Sequence, residues 1–125
     1  MISIVDDDAS ARAATDRLVR SLGFRAHSFA SAEEFLQSPR LHETSCLVTD
    51  IQMPRMTGFE LQRRLVAEKR PIPVIFMTAF PQDSIRSQAA KAGVVGVLAK
   101  PLDAESLMQC VKVALGGDDD GPVAA

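Results

Sequence analysis

The chain has no tryptophan and no tyrosine, only two cysteines, and almost no imbalance of charge, with 14 Lys and Arg against 16 Asp and Glu and a formal net charge of -2. Each shortage excludes something. Without Trp or Tyr, and without a stripe of interleaved basic and aromatic residues, there is no stacking platform for single-stranded nucleic acid. The near-balanced charge gives no electrostatic drive towards a phosphate backbone, so direct nucleic-acid binding by this module is not expected. Cys46 and Cys110 are too few and too far apart in sequence for a disulfide framework or a zinc site, and both lie in apolar stretches that suit buried, reduced thiols. No stretch approaches the roughly 20 apolar residues that cross a bilayer. The apolar run at residues 2–5 is followed at once by Asp6, Asp7 and Asp8, the reverse of a basic-then-apolar leader. A cytoplasmic location without membrane contact is therefore expected.

What is present reads as one domain. At 125 residues, 46% hydrophobic and 24% charged, the chain can bury one sizeable core but not two. Short Val- and Ile-rich runs (2–5, 46–49, 74–77 and 95–99) are apolar at nearly every position, as strands covered on both faces should be. A weaker run over 25–29 carries Arg25 and His27 and suits an edge strand. Helical patterns lie between them. Ala11, Ala14, Leu18 and Leu22 form an apolar stripe that ends at Gly23. Ser31 with Glu34, and Thr57 with Glu60, have capping-box spacing, and Pro39 closes the second helix. A fourth helix spans about 82–92 and stops at Gly93. A fifth begins at an Asp103 N-cap, with Ala104, Leu107, Met108, Val111 and Leu115 expected to face inwards. Five βα units in series predict an α/β fold with an open, doubly wound parallel sheet. The domain is expected over 1–116, with 117–125 a flexible tail or truncated linker because Gly and Asp there replace all apolar periodicity.

In such sheets ligands gather beyond the carboxyl ends of the strands. The residues there are Asp6, Asp7 and Asp8 after the first strand, Asp50 after the third, Thr78 after the fourth and Lys100 after the fifth. Clustered carboxylates repel unless a cation intervenes, and one lysine cannot neutralise them. Mg²⁺ suits a few carboxylates with water and phosphate oxygens, and a carboxylate beside Mg²⁺ and Lys is a plausible nucleophile towards phosphorus. Taken singly, each residue has a plainer reading: Asp8 as an N-cap, which we prefer, Asp6, Asp7 and Asp50 as turn residues, and Lys100 as an ordinary surface lysine. Their joint placement at four strand ends favours the site.

These stretches resemble response-regulator receiver domains of bacterial two-component systems. The resemblance rests on Ile4 to Asp8, Leu47 to Pro54 through Gly58, Met77-Thr78-Ala79 and Lys100-Pro101. Residues 30–36 and 48–61 are most similar to receivers of FixJ-like, nitrogen-fixation-type regulators. The resemblance implies a flavodoxin-like, CheY-like (βα)5 sheet of strand order 2-1-3-4-5. It implies Asp50 as phosphoacceptor, with Asp7, Asp50 and the Gln52 backbone carbonyl as Mg²⁺ ligands and Asp6 acting through water. Thr78, the Ala79 N–H and Lys100 would hold the phosphoryl group, Thr78 would be the switch hydroxyl, and Lys100–Pro101 would be a cis peptide. The implied partners are a sensor histidine kinase or phosphotransfer protein and an output domain or effector protein, and a homodimer on phosphorylation is compatible with it. A receiver of this kind modifies and resets itself and is not a conventional turnover enzyme.

One position departs from the pattern. Val97 stands where receivers usually carry Tyr or Phe, whose ring turns as the threonine shifts. Phe80 is a candidate substitute. Two rival readings stay open: a phosphorylation-independent interaction scaffold, which Asp50, Thr78 and Lys100 argue against and Val97 keeps open, and a Mg²⁺-dependent aspartyl-phosphate phosphatase. The latter would need an acid two residues after Asp50, where Gln52 stands. His27 and His42 are read as structural.

Overall fold

A computed structural model describes residues 1–116; the expected tail or linker at 117–125 lies outside the described residues. Strands and helices alternate as β1 (Ile2–Val5), α1 (Ala9–Ser21), β2 (Ala26–Phe29), α2 (Ala32–Gln37), β3 (Cys46–Asp50), α3 (Gly58–Ala67), β4 (Val74–Thr78), α4 (Asp83–Lys91), β5 (Gly96–Ala99) and α5 (Ala104–Ala114). All strand pairs are parallel, in the order β2-β1-β3-β4-β5. This is the doubly wound α/β architecture that the alternation predicts, in the flavodoxin-like strand order that the resemblance implies, with Ala26–Phe29 at one edge.

The continuous apolar runs are explained by two cores. Val5, Leu47, Phe76 and Val97 face one layer, packed with Phe35, Leu61, Leu65 and Ala89 of α2, α3 and α4. Ile4, Val48, Ile75 and Leu98 face the other, packed with Val19, Leu107 and Val111 of α1 and α5. Because both faces are covered, successive strand residues can all be apolar while still alternating between two layers.

Local chemistry sets the helix starts. Asp8 accepts the Ser10 N–H, and Asp103 accepts the Ser106 N–H. Thr57 and Glu60 form a complete capping box at 3.2 and 2.9 Å. Ser31 forms only half of one: it accepts the Glu34 N–H, but the Glu34 carboxylate reaches past it to the Ala30 N–H. Pro39 does follow the end of α2, and it opens a 3-10 turn over Pro39–Glu43 that the pattern did not foretell.

Several inward-facing expectations need correction. The buried residues of α1 are Thr15 and Val19; of the expected stripe, Leu18 and Leu22 pack partly buried against the second core, while Ala14 is exposed. Ala11, Ala14, Thr15 and Leu18 line a cavity of about 310 Å³ beside Lys100, Pro101 and Leu102. In α5, Leu107 and Val111 are buried while Ala104 and Leu115 are exposed. Cys46 is buried, and burial pushes its thiol up to about 12. Cys110 is only partly buried and packs over Gly96.

One close approach frames the functional end of the sheet. The Gly58 N–H donates to the Ile51 carbonyl at 2.8 Å, folding the β3–α3 loop back on the end of β3. A Cβ on Gly58 would stand 2.6 Å from the Asp50 carbonyl oxygen and 3.0 Å from the Ile51 Cα. Both neighbours are backbone, so one of them must move. Gly58→Ala is expected to lose about 1–3 kcal/mol of stability through this overpacking. Urea denaturation checks it, and an unchanged midpoint would show that the loop yields freely.

Candidate functional site

The sheet brings four side chains from four strands to one end. Asp6 directly follows β1, Asp50 and Thr78 close β3 and β4, and Lys100 directly follows β5. Carboxylate oxygens of Asp6, Asp7 and Asp50 all lie within 4.8 Å of one another. Asp6 is fully buried: one oxygen accepts the Asp8 N–H at 3.0 Å, and the other accepts from Lys100 Nζ at 2.8 Å. The same ammonium donates to Asp50 Oδ2 at 3.2 Å. Asp50 Oδ1 accepts the Gln52 N–H at 3.3 Å, which places Gln52 against the cluster while its own residue is exposed. The Lys100–Pro101 peptide is cis. Asp7 is exposed, and among the described residues its carboxylate accepts no hydrogen bond.

One ammonium faces three carboxylates, and the titration of the site reflects it. Burial raises the Asp50 carboxyl above its ordinary range, and the Asp6 charge adds to this against the opposing pull of Lys100. Burial alone would lower Lys100, but its hydrogen bond to Asp6 and the charges of Asp50 and Asp6 outweigh this and leave it raised. The cluster thus has a surplus of negative charge, all of its donors are oxygens, and the Asp7 carboxylate, though within the cluster, is engaged by no hydrogen bond among the described residues. That donor set fits a hard divalent cation such as Mg²⁺.

The remaining predicted residues divide. Thr78 is buried beside the cluster, and its Oγ1 accepts the Phe80 N–H at 3.2 Å; its carbonyl accepts the Lys100 N–H at 2.9 Å. Ala79 is exposed at the mouth. Val97 is packed in the core beneath α4. Phe80 projects into solvent with 71% of its surface exposed, so it does not take up the place that Val97 leaves. Two arginines went unnoticed in the sequence. Arg12 of α1 donates to the Asp6 backbone carbonyl at 2.8 Å, and Arg86 of α4 donates to the Val97 carbonyl at 3.1 Å. Both act on backbone atoms, and no motif marks a residue that does so.

A family model described as "Response regulator receiver domain" matches residues 2–112. Response regulator protein TmoT of Ectopseudomonas mendocina is 36% identical over 115 residues, covering 92% of this chain and 52% of the relative. The response regulator StyR superposes with a TM-score of 0.82 at 36% identity, covering 95% of this chain and 60% of that one. The crystal structure of FixJ-N gives 0.80 at 31% identity, covering 99% and 96%. The chain spans about half the length of the curated relatives it matches.

The electrostatics make two stability predictions. A carboxyl raised by folding stabilises the protein fully only below its ordinary pKa of about 4, and that contribution is lost as pH rises through the folded value. Without divalent cations, Asp50→Asn should therefore raise the urea midpoint at pH 7, with the gain shrinking towards acid pH. Lys100→Met strands the buried Asp6 charge and should cost up to about 3 kcal/mol. A destabilised Asp50→Asn protein, or a neutral Lys100→Met substitution, would contradict this picture of the charges.

Proposed function

The chain belongs to the response regulator receiver domain family, and from that membership we propose that it is a phosphoacceptor switch that takes a phosphoryl group on Asp50 with the help of Mg²⁺. The observation that carries the reading is Lys100 Nζ within hydrogen-bond reach of both Asp6 and Asp50, beside an unengaged Asp7. On this reading Asp7, Asp50 and the Gln52 carbonyl hold the ion, with Asp6 acting through water. Bound there, Mg²⁺ supplies positive charge to the phosphoryl oxygens.

The donor is a phosphohistidine of a sensor kinase or phosphotransfer protein. An Asp50 carboxylate oxygen forms the new O–P bond as the P–N bond breaks and its electron pair returns to the imidazole. Lys100 exchanges its bond to Asp50 for one to a phosphoryl oxygen, and Thr78 and the Ala79 N–H donate to the others. Water later attacks the phosphorus, the Asp50 O–P bond breaks, and inorganic phosphate leaves as Asp50 returns to its carboxylate, so the module resets itself. The phosphoryl group biases the loops and α4 between two arrangements, and an output domain or partner protein reads the difference. Residues 1–116 form the switch and 117–125 its tail or linker, working in the cytoplasm. The rival scaffold reading draws on Val97 alone. The phosphatase reading lacks its acid, because an exposed Gln52 stands at that position.

Incubation with acetyl phosphate and Mg²⁺ should give a hydroxylamine-sensitive phosphoryl adduct on Asp50, seen by intact mass. Asp50→Asn and EDTA should abolish it, and Lys100→Met should slow it about 10²-fold or more. An adduct that survives Asp50→Asn would refute the assignment, and none at all would favour the scaffold. Recruitment of Thr78 by the phosphoryl group would also release the Phe80 N–H from its acceptor. The amide resonance and ring of Phe80 should then shift when a beryllofluoride mimic binds. An unmoved Phe80 rules it out as the substitute for the missing ring.

A further inference from the structure

Asp6 and Asp7 present adjacent carboxylates, but they are fixed by different means. The Asp6 carboxylate is clamped on both oxygens, by the Asp8 N–H and by Lys100. Asp7 has no such clamp among the described residues, so its direction follows from the backbone that carries it. The last ladder pairs of β1 are Val5 with Phe29 and Val5 with Thr49. The Asp6 N–H still reaches the Phe29 carbonyl at 3.1 Å. Beyond it the chain leaves the sheet, and the Asp6–Asp7 peptide has no strand partner. Its carbonyl is taken up instead by the Arg12 guanidinium, Nη1 to oxygen at 2.8 Å, reaching back from α1.

We propose that Arg12 is a positioning residue for the cation site: by holding the Asp6 carbonyl it fixes the plane of the Asp6–Asp7 peptide and so aims the Asp7 carboxylate into the cluster. The proposal rests on the Mg²⁺ reading given above and adds a residue to it. A peptide that could rotate would let Asp7 swing towards water, where a carboxylate repelled by Asp6 and Asp50 is better solvated. The cost of pointing Asp7 inwards would then fall on the binding of the ion. Partners that orient a metal ligand are worth 10–100-fold in affinity where they have been removed. Arg12 differs in this respect from its neighbour Arg17, which is exposed on the same helix and bonds nothing in the site.

Isothermal titration of the whole chain with MgCl2 tests the assignment, with urea denaturation in the same buffer to establish the folded fraction. Arg12→Met and Arg12→Gln should each weaken Mg²⁺ binding about tenfold while the protein remains folded. Arg12→Lys, which keeps a donor and the charge, should recover much of the loss, and Arg17→Met should change the affinity less than twofold. If Arg12→Met does not fold, the Gln and Lys variants carry the comparison. Wild-type affinity in a folded Arg12→Gln or Arg12→Met protein overturns the proposal. So does an equal loss in Arg17→Met, which would assign the effect to net charge. A wild-type chain that binds no Mg²⁺ removes the proposed function and this inference together, whereas unchanged affinity in the variants removes this inference alone.

Discussion

A single ammonium group, Lys100 Nζ, lies between the buried Asp6 carboxylate and Asp50, with Asp7 adding a third negative charge nearby. The arrangement is undercompensated. Lys100 pairs with the fully buried Asp6, but it does not offset the burial and the Asp6 charge that raise the Asp50 carboxyl above its ordinary range. A site in this condition gains from added positive charge, and the fold keeps it so because Asp6 and Asp7, Asp50, and Lys100 stand at the ends of three strands, β1, β3 and β5.

The surroundings make sense as supports for that cluster. Asp8 caps α1 and also gives its N–H to Asp6, so one turn both starts a helix and orients an acid. Gly58 lets α3 begin hard against the carbonyl of Asp50, and the Thr57–Glu60 box secures that start. Thr78 and Lys100 are tied together through the Thr78 carbonyl and the Lys100 N–H, so the ends of β4 and β5 are coupled. The usual ring is missing at Val97, but α4 still contacts β5 through Arg86, which bonds the Val97 carbonyl.

Much of this was legible in the sequence because the physics is local. Strands covered on both faces show as unbroken apolar runs, and the Asp8, Thr57 and Asp103 caps depend on residues a few positions away. The four strand-end residues could be read because the fold class alone says that strand ends converge. What was not legible depends on tertiary neighbours. On α1, Leu18 and Val19 are adjacent and both apolar, and only the position of the sheet and of α5 decides that Val19 is the buried one. Glu34 could have capped Ser31 or reached Ala30, and the preceding turn settles it. Cys110 has an apolar setting in sequence but lies beside the buried stripe of α5 and is only partly covered. Arg12 and Arg86 bond backbone carbonyls of neighbouring elements, at Asp6 and Val97, a role that leaves no side-chain pattern.

The central claim is that the acidic cluster carries more negative charge than Lys100 can offset, and that a divalent cation completes it. Carboxyl-carbon NMR titration of Asp50, with and without Mg²⁺, tests this most directly. The account predicts that Asp50 titrates above the ordinary aspartate range in metal-free buffer and falls when Mg²⁺ is added. An ordinary value in metal-free buffer that Mg²⁺ leaves unmoved would contradict it.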